Sequence, residues 1–179
     1  MTAERVKEKI RTVVDWPVPP VRFRDITPVL EEPMLFSYVV DWMADRARDY
    51  RAELVAGVDA RGFLFAGAVA HSLGLPLVPI RKAGKLPYRT LSASYTLEYG
   101  TSTIEVHEDA VNGAKNALLI DDLVATGGTL VAATELLRKL GVETIHVVSV
   151  VDLPELGGSR RVAGKVDSLD FLVSFSEEE

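Results

Sequence analysis

The sequence predicts an α/β domain built on a mainly parallel β-sheet flanked by helices. Three observations carry that expectation. Apolar runs of strand length recur ("ELVAGV", "LPLVPI", "NALLID" and "ETIHVVSVV"), as strands covered on both faces require. Stretches of helical period lie between them. Several runs break into charge or glycine, as suits the carboxyl edge of such a sheet, where ligands of α/β folds bind.

Val6, Ile10, Val13 and Val14 recur at helical spacing and predict an amphipathic first helix. The proline-punctuated stretch "DWPVPPVRFRDITPVLEEP" excludes a long regular element. "MLFSYVVDWMADRARDY" is again helical, with its charge run on the outer face and Met43 as a core or interface residue. A buried strand in "ELVAGVDARG" gives way to a helix over "FLFAGAVAHSLG", where Gly74 suits a C-cap. A second strand, "LPLVPIRK", precedes a polar loop over "AGKLPYRTLSAS". Alternation around Tyr99 and Gly100 in "YTLEYGTSTIEVHED" predicts a hairpin. The strand "NALLID", the helix "GTLVAATELLRKLG" and the strands "ETIHVVSVVDL" and "DFLVSF" complete the order. Trp16 and Trp42 read as core or interface residues.

The 179 residues suit one domain, with residues 1–34 as an N-terminal helix and hood segment and residues 35–179 as the α/β core. A net charge of −6 argues against a general affinity for nucleic acid. The absence of cysteine excludes thiol catalysis, disulfides and zinc–thiolate sites. No apolar run reaches the ~20 residues of a membrane helix, and the first residues lack the apolar core of a signal peptide. The expected location is therefore the cytoplasm, without membrane association.

The stretch "NALLIDDLVATGGT" carries the chemistry. It delivers Asp121 and Asp122 to a strand end and then opens a helix through Ala125, Thr126, Gly127, Gly128 and Thr129. Free N–H groups and the positive dipole end of that helix suit a phosphate, and the threonine hydroxyls add donors. A Walker loop is excluded, because the Gly-Lys-Ser/Thr ending is missing. Carboxylates repel phosphate, so the two acids make sense facing the hydroxyls of a sugar, or its magnesium, while the loop holds the sugar's phosphate. The plain alternative is that Asp122 caps a turn.

"LLIDDLVATGGTL" resembles the phosphoribosyl diphosphate (PRPP) signature of the type I phosphoribosyltransferase family. "FRDITPVL", "DARGFLF" and "IRKAGKLP…SASYTLEYG" resemble its adenine-specific branch, in that branch's order and at its approximate spacing. The resemblance implies the family's fold, with a hood and a flexible hairpin loop, and a homodimer. It implies the reaction of adenine with PRPP to give AMP and pyrophosphate, with Mg2+ as cofactor.

By resemblance, Asp121 and Asp122 engage the ribose hydroxyls near magnesium and residues 125–129 take the 5-phosphate. The turn at Arg61 binds pyrophosphate with Lys82 beside it, and Arg81 reaches across a dimer interface. Lys85 belongs to a loop that closes over the substrate and excludes water. Glu98 manages a proton at the purine, and Tyr99 lines the same loop. Backbone groups of Phe23 and Arg24 read the adenine edge, and Leu153 packs on the purine face. One departure stands out: Arg22 occupies a position that is usually apolar in the family. It either stacks on the base as a cation or points outward.

Two other functions fit parts of this pattern. A 6-oxopurine enzyme would keep the PRPP chemistry, but "VVDLPELGG" lacks the lysine that reads O6 in such enzymes. A non-catalytic PRPP-sensing regulator would need a DNA-binding module, and the residues before "FRD" hold at most one helix. His71 and His146 read as packed or surface residues, and His107 belongs to a solvated acidic edge.

Overall fold

The computed structural model describes residues 1–97 and 100–176. Among these residues, seven strands form one sheet in the order β5-β6-β4-β3-β7-β8-β9. Its centre is parallel: β3 (Leu54–Val58) pairs with β4 (Leu77–Lys82) and β7 (Asn116–Val124), and β8 (Thr144–Asp152) lies between β7 and β9 (Ser168–Ser174). The antiparallel hairpin of β5 (Thr90–Thr96) and β6 (Thr101–His107) extends one edge through β4. This is the mainly parallel sheet that the apolar runs predict.

Helices cover both faces. One core contains Val6 of α1 (Ala3–Lys9), Val29 of α2 (Thr27–Leu30), Val39 and Met43 of α3 (Pro33–Asp49) and Phe65 of α4 (Gly62–Leu73). The opposite core contains Leu130, Leu136 and Leu137 of α5 (Gly128–Lys139) and Val162 of α6 (Gly158–Ala163). Gly57 permits the close seating of α4 on β3, because a Cβ there would lie 2.6 Å from the Ala66 Cβ. Gly74 ends α4 in the left-handed region, at φ 64°.

The structure corrects three local expectations and adds one element. The first helix stops at Lys9, and Arg11–Val14 forms β1, paired antiparallel with β2 (Arg22–Asp25). Its β-branched Thr12, Val13 and Val14 suit that pleated ribbon better than a helix. The polar loop after β4 is shorter than expected, because β5 begins at Thr90. Leu91, Ala93 and Tyr95 alternate onto the core with period 2. The strand carrying the two acids continues to Val124, so both acids lie within it. A 3-10 turn (Pro154–Leu156) and α6 occupy a stretch for which the sequence showed no helical period. Trp16 is half exposed and rests edge-on against Phe23, whereas Met43 is buried as expected.

Candidate active site

Strand ends bring the predicted residues to one edge. The Asp59 N–H donates to Ile80 C=O at 2.9 Å, which ties the turn after β3 to β4. The Leu153 N–H donates to Val124 C=O at 3.0 Å, which ties the end of β8 to β7. The carboxyl edge therefore carries residues 59–61, Lys82, residues 121–129 and Leu153 side by side.

The side-chain alternation of β7 reverses around the two acids. Leu118 and Ile120 face the α3–α4 core, as does Leu123, whereas Ala117, Leu119 and Val124 face the other core. The β7–β8 ladder keeps its register but skips one pair here, passing from Asp121↔Ser149 to Leu123↔Val151. This local break leaves Asp122 nearly buried on the side of Arg61, and Arg61 Nε donates to Asp122 Oδ2. Asp121 is partly exposed as a residue and lines the neighbouring pocket, but its Oδ1 is enclosed beside Gly62 and accepts from the Asp122 N–H at 2.8 Å. Burial, and then the adjacent charge of Asp122, push the Asp121 carboxyl well above its ordinary pKa.

Arg61 precedes α4 in a turn whose Asp59–Ala60 peptide is cis. The guanidinium carbon lies 5.5 Å from the centroid of the Phe23 ring, and Phe23 lies 4.5 Å from Trp16. A continuous row thus runs from Trp16 through Phe23 and Arg61 to Asp122. Arg24, next along β2, turns its side chain the other way. Its guanidinium stacks 4.3 Å from the Phe175 centroid and bonds to Thr12 and the Ser176 carbonyl. Its side chain therefore packs away from Phe23.

Asp59 organises a second group. Its Oδ2 lies 3.5 Å from Arg81 Nε and accepts from the Lys82 N–H at 3.4 Å. Arg81 also donates to the Lys85 carbonyl at 3.3 Å, so within this chain it rests against its own loop. The loop is tethered to β6 by Ala83 N–H to Thr103 C=O and Gly84 N–H to Glu105 Oε2, both 3.0 Å. Lys82 and Lys85 are exposed. Glu98 and Tyr99 lie outside the described residues.

The third group is the glycine loop. Asp121, Thr126, Gly127, Gly128 and Thr129 line a pocket of about 90 Å³, room for a tetrahedral anion or a few waters. Gly127 holds φ 78° at the N-terminus of α5, and no side chain caps that helix. A Cβ on Gly128 would meet the Tyr95 ring at 3.0 Å, so the β5 strand packs directly on the loop. Among the described residues no group of three or more His, Cys, Asp or Glu is arranged to hold a metal.

Sequence reasoning missed several neighbours of the site: Tyr95 against Gly128, Gly62 against Asp121, and Gly158 beneath Ala125. Paired glycines in "ELGG" are the one signal that points to such a contact, because adjacent glycines permit a close backbone approach.

Comparison with known proteins adds independent findings. Residues 27–171 match the family model described as "Phosphoribosyl transferase domain". The adenine phosphoribosyltransferase of Bordetella avium is 51% identical over 174 residues, covering 97% of this chain and 96% of that protein. That of an Acidovorax species is 50% identical, covering 96% and 94%. Among solved structures, adenine phosphoribosyltransferase from Thermoanaerobacter pseudethanolicus superposes with a TM-score of 0.88 at 40% identity, covering 97% of this chain and 100% of that one. APRTase from Giardia lamblia, complexed with 9-deazaadenine, gives 0.91 at 34% identity, covering 98% of each. No helix among the described residues is long and apolar enough to cross a membrane.

Proposed function

The chain belongs to the adenine phosphoribosyltransferase family, and we propose from that premise that it converts adenine and PRPP to AMP and pyrophosphate. The observation that carries this reading is the adjacency of the Asp121–Asp122 pair to an uncapped glycine loop on one side and to Arg61 on the other. A ribose with a phosphate at C5 and a diphosphate at C1 matches that order of donors and acceptors.

The 5-phosphate occupies the pocket of residues 125–129, where backbone N–H groups and the α5 dipole offset its charge. Asp121 and Asp122 accept from the ribose hydroxyls. The leaving diphosphate meets Arg61 and the backbone of residues 59–61, with Lys82, Arg81 and Lys85 close by. These cations stabilise the charge that grows as the C1–O bond breaks. Adenine lies against Phe23, with the backbone of residues 23 and 24 at its edge and Leu153 on its face. As N9 bonds to C1, Glu98 hydrogen-bonds at the purine and assists departure of the N9 proton, and Tyr99 contributes to PRPP binding. Residues 1–34 serve as the hood over the base and residues 35–179 as the core that holds PRPP.

Magnesium fits this donor set. Two adjacent carboxyl groups share one guanidinium, so a second cation beside them would favour the ionised form of Asp121. An ion held by one or two carboxylates, substrate oxygens and waters needs no larger protein cage. Asp121 and Asp122 are the residues that would hold it. When bound, the ion supplies positive charge beside the diphosphate. The enzyme acts in the cytoplasm as a homodimer, without nucleic acid or membrane partners.

The test is a PRPP-dependent assay with adenine, hypoxanthine, guanine and xanthine, following pyrophosphate release with and without magnesium. Adenine alone should turn over well, and only with the metal. Comparable turnover of a 6-oxopurine would replace the adenine reading. No release with any base would remove the PRPP reading altogether.

A further inference from the structure

We propose that Gly158, about thirty residues beyond the glycine loop, is a positioning residue that sets the shape of the 5-phosphate cradle from beneath. The inference rests on the reading of residues 125–129 as that cradle. The contact is backbone on backbone. The Gly158 N–H donates to Ala125 C=O at 3.0 Å. A Cβ on Gly158 would stand 2.1 Å from that oxygen, 2.8 Å from the Ala125 carbonyl carbon and 2.7 Å from the Gly127 nitrogen. The relation is mutual: a Cβ on Gly127 would stand 2.8 Å from the Gly158 oxygen and 3.1 Å from both its Cα and Val162 Cγ2. Neither side of this contact has room for a side chain, and neither can yield by turning a rotamer, except at Val162.

The floor is itself fixed. Asp152 is buried at the end of β8, and its backbone carbonyl accepts from the Phe175 N–H at 3.1 Å. Val162 is fully buried in the α5 core. Leu153, the residue assigned to the purine face, is bonded through its N–H to Val124, the last residue before the loop. The segment from Asp152 to Val162 therefore touches both ends of the substrate's site. It sets where the N–H groups of residues 126–128 point. A displacement of about 1 Å in such a cradle can cost on the order of a hundredfold in its use of the ligand.

Two adjacent glycines supply a matched test. Gly157 has φ 75° with nothing within 4 Å of its would-be Cβ, so alanine there strains the backbone without entering the loop. Gly158→Ala enters the loop instead. Ribose 5-phosphate binding by calorimetry, the KM values for PRPP and adenine, and thermal melts would be measured for both variants and the wild type. Gly158→Ala should raise the ribose 5-phosphate Kd and the PRPP KM about tenfold or more, and the adenine KM by no more than about twofold. Gly157→Ala should lower the melting temperature while leaving ribose 5-phosphate affinity unchanged.

A Gly158→Ala protein that melts cooperatively and binds ribose 5-phosphate like the wild type overturns the proposal. So does a Gly157→Ala protein with an equal loss of affinity. If Gly158→Ala does not fold, Val162→Ala tests the same floor by removing both γ-methyl groups, among them the Cγ2 below Gly127. It should weaken ribose 5-phosphate severalfold, and unchanged affinity overturns the proposal. A wild-type protein that binds neither PRPP nor ribose 5-phosphate would instead bring down the cradle reading, a separate result.

Discussion

Arg61 links the two halves of the site: its Nε donates to the nearly buried Asp122 carboxylate, while its guanidinium carbon lies 5.5 Å from the centroid of the Phe23 ring. Arg61→Ala removes the cation that pairs with a carboxylate almost out of reach of water. Breaking a fully buried pair costs about 3–5 kcal/mol. Arg61 keeps 48% of its side chain exposed, so water offsets part of the loss. The expected cost is on the order of 1–2 kcal/mol. Thermal melts should show it as a fall of about 3–6 °C, and the PRPP KM should rise about tenfold or more. Arg61→Lys should recover stability but little of the KM, because an ammonium does not reproduce the guanidinium fork. A PRPP KM unchanged in both variants would detach Arg61 from the diphosphate.

Arg24 ties β2 to β1 and the C-terminal segment through its side chain. Its guanidinium is locked between Phe175, Thr12 and the Ser176 carbonyl. Arg24→Met keeps the apolar stem and removes those contacts. The change should destabilise by about 1–3 kcal/mol and raise the adenine KM more than the PRPP KM. Steady-state kinetics with each substrate varied in turn separate the two. An equal rise in both values would mean that β2 does not serve the base selectively.

The parallel strands and the helices between them were legible because burial on both faces leaves long apolar runs, and because Gly74 and Gly127 mark a helix end and a helix start. The acids and the glycine loop were legible because their spacing is local. What escaped depends on contacts between distant segments. β1 forms because Arg11–Val14 finds β2 across a proline-rich turn, and its valines sit at a spacing that a helix would also accept. The reversal of alternation around Asp121 and Asp122 is shared with the neighbouring strand β8. Nothing within "LLIDDLV" indicates it. Gly158 is a contact across sequence, visible only once Ala125 is seen above it.

Helix α4 holds two glycines in opposite surroundings. A Cβ on Gly62 would stand 2.9 Å from the Ile120 carbonyl oxygen and 3.2 Å from Asp121 Oδ1, whereas one on Gly67 meets nothing within 4 Å. Gly62→Ala should therefore cost about 1–3 kcal/mol by overpacking, and it should raise the PRPP KM by moving Asp121. Gly67→Ala should be neutral or stabilise by up to about 1 kcal/mol through helix propensity. Melting temperature and PRPP kinetics on the pair check this. A Gly62→Ala enzyme with wild-type PRPP kinetics would show that Asp121 tolerates displacement.

His146 gives the fold a pH dependence at the end of β8 opposite the site. Its ring stacks on Tyr50 at 4.0 Å with the planes 1° apart, and its Nδ1 lies 2.7 Å from Ser168 Oγ. Burial lowers its pKa, and the nearby Asp167 and Asp170 only partly offset that. The unfolded imidazole has a pKa of about 6.5. As pH falls through that value the unfolded chain takes up a proton that the folded ring still resists. Stability is thus fully present above the unfolded pKa and is lost as pH falls toward the depressed folded one. The slope from this group is at most about 1.4 kcal/mol per pH unit. Asp121 and Asp152, whose pKa values are raised, act in the opposite sense, and Asp25, Glu53 and Asp167, with lowered values, act in more acid solution. The contributions of Asp121, Asp152, Asp25 and Glu53 cancel when the wild type is compared with His146→Gln at each pH, and Asp167, which feels the His146 charge, is ionised in both folded and unfolded chains above about pH 5. Between about pH 7.5 and 5.5 the wild type should lose more stability than the variant, while adenine turnover per folded molecule stays alike. Parallel melting curves for the two proteins across that window would show that the folded imidazole takes its proton as readily as the unfolded one.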